Sequence, residues 1–223
     1  MVAMCVGQVG NLLPHVVVQA IMAQHLMPLW GLSAGQAGFM ASAYAFGYML
    51  AVPVLASLTD RIDARRILIG GTALSMAATL AFPFIARDLA SASAMWALAG
   101  LGFAGAYMPG LKALTDRLDA GDASRSVTLY TSSFSLGVAL SFLFAQVLAD
   151  RFGWQAAFLV TGLGPLAMLV TAMLMAPVRP EPRPGPAIDV RAVFGNRPAL
   201  GYVLGYGAHC FELYGMRTWI VAF

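Results

Sequence analysis

The sequence is divided into long apolar stretches, and the short breaks between them carry nearly all of the charge. Each stretch is as long as the roughly 20 residues that an α-helix needs to cross the hydrocarbon core of a bilayer. Only 10% of the residues are charged, against about 25% in a typical soluble domain. The stretches are too long and too uniformly apolar for membrane barrel strands, which alternate over about 10 residues. The sequence therefore predicts an all-α membrane protein with seven spans, at about 4–29, 34–58, 67–86, 91–111, 125–149, 154–176 and 199–223.

Basic residues are distributed unevenly between the two faces that these spans define. Cytoplasmic loops of membrane proteins carry an excess of Lys and Arg. The breaks that hold most of the basic residues are therefore predicted to be cytoplasmic, with the N-terminus on the same side. This orientation argues against a seven-helix receptor or a rhodopsin, whose N-termini lie outside. The basic breaks contain Arg61, Arg65, Arg66, Lys112, Arg117, Arg125, Arg179, Arg183, Arg191 and Arg197, and the other face has Arg87, Arg151 and Arg217.

A Pro- and Arg-rich segment at 177–198 differs from the other breaks in length and composition. Its prolines cannot continue a helix, so it is predicted to be a cytoplasmic linker. It separates a six-helix bundle at 1–176 from a seventh span at 199–223, which ends in apolar sequence at Phe223. The chain is thus expected to be truncated in or after helix seven, so that a C-terminal helical half would be the missing partner. The alternative is a natural seven-span protein.

A short motif, Leu-Thr/Ala-Asp-Arg, occurs three times, at Leu58–Arg61, Leu114–Arg117 and Leu148–Arg151. The first and third copies are about 90 residues apart, as are the starts of spans one and four. Such spacing indicates a 3+3 repeat of inverted topology, an architecture found in membrane proteins. The alternative is that Asp-Arg is simply a common way to end a span.

The break between spans two and three, Ser57–Leu68, resembles the signature loop of the major facilitator superfamily, roughly G-x-L-A-D-R-x-G-R-R. The segment Asp150–Phe158 also looks like that family's entry to helix six. In this chain Ala56 and Asp63 replace the two glycines, and one extra residue precedes the arginine pair. The resemblance implies a major-facilitator-like helical bundle that acts as a secondary transporter. It also implies a gating loop, which stabilises one side of the transport cycle, at Asp60, Arg61, Arg65 and Arg66. The alternative is that these arginines only set the topology.

Two other features of that family are absent. Val138 follows Gly137 where an antiporter would have a Gly-Pro pair, and span four has no arginine near its middle. The coupling ion and the direction of transport therefore stay open, and the protein could be a symporter or an antiporter.

Polar residues inside spans are costly in lipid, so they usually face the protein interior or a cavity. In span one, Gln8, Asn11, His15 and Gln19 are three or four residues apart and share one helical face. This polar stripe is predicted to line a substrate cavity; the alternative is helix packing through hydrogen bonds. His15 is also a candidate for proton coupling, because histidine titrates near physiological pH. Pro14 beside it is expected to bend the helix.

Other spans provide further candidates for the cavity. Span five has hydroxyls at Ser124, Thr128, Thr131 and Ser135, which could instead bond to their own backbone, and spans two and four offer Tyr44, Tyr48 and Tyr107. In span seven, Tyr206 and His209 are cavity candidates, while Glu212 and Arg217 are proton-coupling candidates that could pair with each other.

These features predict a secondary active transporter that moves a small solute by alternating access. The sequence has no phosphate-binding loop and no metal-ligand cluster, so neither ATP, a metal nor another cofactor is expected, and no enzyme activity. The expected partners are a small-molecule substrate and the lipid bilayer, without nucleic acid, in a bacterial inner membrane. Organic anions, neutral metabolites and amphipathic drugs are all compatible substrates. The alternatives are a non-transporting accessory half, or a membrane enzyme that uses His15, His209 and Glu212.

Overall fold

A computed structural model describes residues 1–118, 120–180 and 194–220; of residues 120–123 it describes the backbone and not the side chains. All the regular elements of these residues are helices, which confirms the predicted all-α membrane fold. Arg183 and Arg191 of the linker and residues 221–223 of span seven lie outside the described residues.

Each predicted span corresponds to one helix or to consecutive helices. Five described spans are single or nearly straight apolar units, and span one becomes a sixth if its two parts, bent by 41°, are counted together. Span seven has 23 helical residues, but its polar and charged side chains keep it out of this apolar set, so the seventh span stays a prediction. The bounds are Val2–Leu12, Val17–Ile21 and Met27–Trp30 with a π-helical turn at Met22–Leu26 for span one; Ala34–Leu58; Ala64–Ile85; Leu89–Ala104 with Tyr107–Thr115; Ala120–Phe152; Trp154–Gly162 with Pro165–Leu174; and Arg197–Trp219.

The bend in span one lies at Pro14, as the sequence predicted. Proline has no N–H to continue the helix, and its ring displaces the preceding turn. Ser141 of span five repairs the interrupted backbone: its hydroxyl donates to the Leu13 carbonyl at 2.6 Å and accepts from the Val16 N–H at 3.2 Å. The break is therefore stabilised by a neighbouring helix, as broken membrane helices require.

The packing of the six spans has the symmetry expected of two three-helix repeats. Span two packs mainly against span four, and span one against span five; span three packs along span four, and span one along span six. Exchanging spans one, two and three with spans four, five and six converts each of these pairs into another pair of the same set. This pattern agrees with the predicted 3+3 repeat.

Glycines allow the closest of these helix pairs to bring their backbones into contact. A Cβ atom on Gly100 would overlap the carbonyl oxygen of Tyr44, and one on Gly47 would overlap that of Ala97. Gly10 and Gly164 form the same kind of contact between spans one and six. Small residues at such positions are typical of tightly packed membrane helices.

The two ends of the bundle differ in charge. We call the end with Arg61, Arg65 and Arg117 the basic face, and the other end, with Asp88 and Asp150, the opposite face. At the opposite face the π-helical turn of span one places His25, whose Nε2 lies 2.9 Å from Asp150 Oδ1 of span five. This contact joins the two repeats at that end.

Candidate functional site

The four residues of the polar stripe in span one are all buried inside the bundle. The three- and four-residue spacing therefore identified the inward face of the helix correctly, although burial alone does not distinguish a cavity wall from a packing surface. Val2 and Val6, on other faces of the same helix, are exposed.

His15 lies at the break in span one and contacts aromatic residues from three other spans. Its Nδ1 is hydrogen-bonded to the Tyr44 hydroxyl of span two at 3.0 Å. The ring packs against Phe103 of span four, with centroids 4.8 Å apart, and edge-on against Phe134 of span five at 5.7 Å. The sequence had predicted His15 and Tyr44 as cavity residues, and the structure brings them together.

The amides of the stripe are only partly hydrogen-bonded. Gln8 Oε1 accepts from the Tyr130 hydroxyl at 2.9 Å, a contact with span five that the sequence analysis did not anticipate. Gln8 Nε2, Gln19 Oε1 and both polar atoms of Asn11 are buried without a partner among the described residues. Buried polar groups are nearly always satisfied by protein, water or ligand. The unpaired amides of span one are therefore candidates for binding a polar molecule.

Aromatic rings continue from the stripe toward the basic face. Phe103 is stacked with Tyr107 at 6.3 Å, Tyr107 contacts Phe134 at 5.0 Å, and Tyr48 contacts Phe103 at 6.1 Å. Tyr48 and Tyr107 are only partly buried, and their hydroxyls have no hydrogen-bond partner among the described residues. Phe103 and Phe134, which the sequence analysis did not name, complete this surface; they are ordinary apolar residues in sequence terms, so nothing there singled them out.

Span seven rests on the six-span bundle through its C-terminal turns. Trp219 packs against the core of the bundle, and Arg217 lies over the Phe134 ring, with its guanidinium carbon 5.8 Å from the centroid. Tyr206, His209 and Glu212 are exposed. His209 therefore does not join His15 among the described residues, and no ion pair forms between Glu212 and Arg217 in this part of the chain.

The hydroxyls of span five bond to their own helix. Thr128 donates to the Ser124 carbonyl at 2.9 Å, and Thr131 donates to the Val127 carbonyl at 2.9 Å. Ser135 is exposed. The two threonines thus follow the alternative that the sequence left open, whereas the Tyr130 and Ser141 hydroxyls of the same helix reach span one.

At the basic face, Asp63 is the centre of a network that the sequence did not predict. Arg117 Nη2 donates to Asp63 Oδ1 and Oδ2 at 3.0 and 3.1 Å, and the Val178 N–H donates to Oδ2 at 2.9 Å. Asp63 also caps span three by accepting from the Arg65 N–H at 3.0 Å. The carboxylate therefore joins the two basic breaks to the beginning of the linker.

The arginines of this network also cap the C-terminal end of span six. Arg65 donates to the carbonyls of Ala172 and Met173, and Arg117 donates to the Ala176 carbonyl. Last-turn carbonyls lack helical partners, and cations near them are favourable. We call Asp63, Arg65, Arg117 and these carbonyls the basic-face network.

The charge balance at Asp63 favours its ionised form. Burial alone would raise the pKa of the Asp63 carboxyl, but the N–H groups of Val178 and Arg65 and the Arg117 guanidinium lower the pKa overall. Asp60, which the family signature had singled out, is half-buried, and its carboxylate has no ion pair or hydrogen bond with described residues. Arg65 of the predicted gating loop belongs to the network, and Arg61 and Arg66 are exposed. A signal for Asp63 was present in the sequence, because an aspartate immediately before a helix is a typical N-cap.

Cofactor and metal ligands are not concentrated anywhere in the described residues: no three His, Cys, Asp or Glu side chains lie close enough to hold a metal ion. What the described bundle offers is a polar, partly unsatisfied helix face surrounded by aromatic rings at mid-depth. Together with the 3+3 packing, this defines a polytopic helical membrane protein.

Comparison with known proteins identifies the family. The model of the Major Facilitator Superfamily matches residues 4–223, so the chain belongs to that superfamily of membrane transporters. It is 28% identical to a gallate transporter from Pseudomonas putida over 193 residues, which cover 83% of this chain and 42% of the relative. It is 33% identical to the multidrug efflux pump LfrA from Mycolicibacterium smegmatis over 144 residues, 62% of this chain and 28% of the pump.

A third relative is protein spinster homolog 1 from Bos taurus, 26% identical over 211 residues, 85% of this chain and 38% of that protein. The chain thus spans less than half the length of these relatives. The recognition made from the loop between spans two and three is confirmed.

Proposed function

We propose that this protein is a secondary active transporter that moves a small organic solute across a membrane by alternating access, without enzymatic chemistry. The observation that carries the proposal is the stripe of buried amides on span one, whose Gln8, Asn11 and Gln19 retain unpaired polar atoms. Family membership and relatives named for the transport of gallate and the efflux of drugs support it.

The proposed solute site lies between the stripe of span one and the aromatic rings of spans two, four and five. A solute bound there forms hydrogen bonds with the unpaired amides. Binding therefore offsets part of the free energy that burying these polar groups costs. The broken helix at Pro14 fits this role, because discontinuous helices bring free backbone and side-chain groups to transporter binding sites. The second bundle that the site needs would follow span seven in the natural polypeptide.

We assign His15 to substrate binding or proton coupling. Its Nδ1 is held by Tyr44, which leaves Nε2 as the ring nitrogen available to a solute or a proton. Asp60 is assigned to gating, since its carboxylate has no partner among the described residues and can contact the second bundle.

We further propose that the basic face is cytoplasmic and that the protein resides in the inner membrane of a bacterium. The uneven distribution of basic residues supports this orientation. Cysteine labelling on intact cells tests it. In a variant without Cys5 and Cys210, single cysteines at the exposed positions Arg66 and Arg87 should react with a membrane-impermeant maleimide only at Arg87.

The transport proposal is tested with the natural polypeptide reconstituted into liposomes. Radiolabelled anionic, neutral and cationic organic solutes are offered with an imposed proton or sodium gradient, and accumulation is measured before and after an ionophore collapses the gradient. We expect one charge class to accumulate above its equilibrium level and to leak out on collapse. Equilibration of every solute at the same rate as in protein-free liposomes would contradict the proposal and favour an accessory role.

The variant His15→Ala locates the site within that assay. We expect it to abolish accumulation or its pH dependence while the yield of folded protein stays normal. Val160→Ala, an exposed position of span six, is the matched control. Unchanged uptake with unchanged pH dependence in His15→Ala would remove this residue from the mechanism.

A further inference from the structure

One charged group in the described bundle lies among aromatic rings rather than at either face. Arg217 is near the end of span seven, yet its guanidinium carbon is 5.8 Å from the ring centroid of Phe134. Phe134 is ten residues from the start of the apolar part of span five at Ser124, or about 15 Å along the helix axis.

This guanidinium has no carboxylate partner among the described residues. The ion pairs His25–Asp150, Lys112–Asp116 and Arg117–Asp63 do not include Arg217. Glu212 is five positions away on the same helix and is exposed on another side. A charge at membrane depth is costly, and such residues are typically paired or exposed to a cavity that carries a ligand.

Aromatic residues of the six-span bundle lie next to Arg217. Its partner Phe134 contacts Tyr107 with ring centroids 5.0 Å apart, and Tyr48 lies beyond, against Phe103 at 6.1 Å. Neither Phe134, Tyr107, Tyr48 nor Arg217 is fully buried. We call this surface the span-seven cleft.

The chemistry of the cleft specifies its ligand. A guanidinium binds a carboxylate with two parallel hydrogen bonds, a geometry that a lysine cannot reproduce. Arg217 is the cation of the cleft among the described residues, which suits a ligand with a single negative charge. Aromatic walls favour a planar ring through offset or edge contacts. The hydroxyls of Tyr48 and Tyr107 lack partners in the described part and can bond to polar substituents on such a ring.

We propose that the transported solute is a small aromatic carboxylate, held by its carboxylate on Arg217 and by its ring in the span-seven cleft. This inference rests on the proposed transport function and gives Arg217 the role of an anion-binding residue. Neutral amides on the stripe of span one then meet the ring substituents rather than the charge.

The test compares carboxylates with their neutral amides on the purified natural polypeptide. Benzoate and 4-hydroxybenzoate are the probes, benzamide and 4-hydroxybenzamide are the uncharged counterparts, and cyclohexanecarboxylate lacks the aromatic ring. Affinity is obtained from ligand-dependent shifts in melting temperature, which report binding to the folded state. We expect each carboxylate to bind at least about tenfold more tightly than its amide, a difference of about 1.4 kcal/mol.

The variants Arg217→Gln and Arg217→Lys assign this preference to one residue. In Arg217→Gln the carboxylate and the amide should bind equally, whereas Arg217→Lys should retain only part of the preference because the forked geometry is lost. Arg151→Gln, an exposed arginine at the end of span five, should retain the full preference. If Arg217→Gln does not fold, the partial loss in Arg217→Lys carries the test.

Two further outcomes would overturn the inference: carboxylates that bind no better than amides, and a carboxylate preference that Arg217→Gln leaves intact. Phe134→Leu should reduce the preference for benzoate over cyclohexanecarboxylate, and an unchanged preference would remove the ring contact from the proposal.

The liposome assay separates the two proposals. Gradient-driven accumulation of a neutral or cationic solute that is unchanged in Arg217→Gln would support the transport function and contradict this inference. Carboxylate binding through Arg217 without any accumulation would do the reverse.

Discussion

Replacing Asp63 by alanine should destabilise the protein more than any other change of a single charge at the basic face. Asp63 and Arg117 side chains are only 8% and 13% exposed, so their ion pair is largely shielded from water. Breaking a buried pair by removing one partner costs about 3–5 kcal/mol. Arg117 keeps hydrogen bonds to the Ala113 and Ala176 carbonyls, so the expected loss is at the low end, about 3 kcal/mol.

The measurement is the free energy of unfolding of the purified natural polypeptide in detergent micelles, obtained by SDS titration. A double-mutant cycle with Asp63→Ala and Arg117→Ala should give a coupling energy of at least about 1.5 kcal/mol, since contacting residues are not additive. Asp116→Ala is the matched control, because it removes an exposed i,i+4 pair with Lys112 and should cost about 0.3–0.5 kcal/mol.

The pH dependence has a definite sign. The pKa of Asp63 is lowered in the folded state, so its contribution is complete above the ordinary value of 3.8 and disappears as the pH falls through the lower folded value. Additive losses in the cycle, or a loss in Asp63→Ala no larger than in Asp116→Ala, would refute the buried-pair argument.

Three further changes test other parts of the structure. Gly100→Ala should lower the folded yield sharply, because its Cβ would overlap a main-chain carbonyl of span two, whereas Gly70→Ala, which meets nothing within 4 Å, should be neutral or slightly stabilising in the same expression and size-exclusion assay. Ser141→Ala should reduce the free energy of unfolding by about 1–3 kcal/mol, since it leaves two backbone groups at the break in span one without a partner. A smaller loss in the SDS titration would mean that other groups form hydrogen bonds with these two backbone atoms. Asp60→Asn should slow solute transport in liposomes while leaving the affinity for the solute nearly unchanged. A normal rate would mean that the loop between spans two and three only sets the orientation of the protein in the membrane.

Much of the local architecture could be predicted from the sequence. The ends of the apolar stretches agree with the helix bounds to within a few residues for spans two to six, because hydropathy and capping residues are properties of short segments. The three- and four-residue spacing of the polar stripe predicted which face of span one points inward, and Pro14 predicted the position of the bend in that span. The linker at 177–198 and the seventh span stay predictions, since 181–193 and 221–223 lie outside the described residues.

Contacts between distant parts of the chain could not be predicted in this way. Tyr130 and Gln8 are 122 residues apart, and Ser141 and Val16 are 125 apart, and no feature of either segment indicates the other. The family signature drew attention to Asp60, but the pair forms at Asp63, where this chain departs from the signature. Span seven was predicted to carry cavity and proton-coupling residues, but its sequence did not indicate that Arg217 lies over Phe134.

The sequence by itself determined that the chain is a set of membrane helices, which face of span one is polar, and to which family the protein belongs. These properties depend on residues that are neighbours in one helix or one loop. Only the tertiary structure decided that His15 meets Tyr44, that Asp63 binds Arg117, and that Arg217 rests over Phe134. Those pairs depend on how each helix is rotated and placed against the others, and glycine contacts and aromatic packing between spans fix that arrangement.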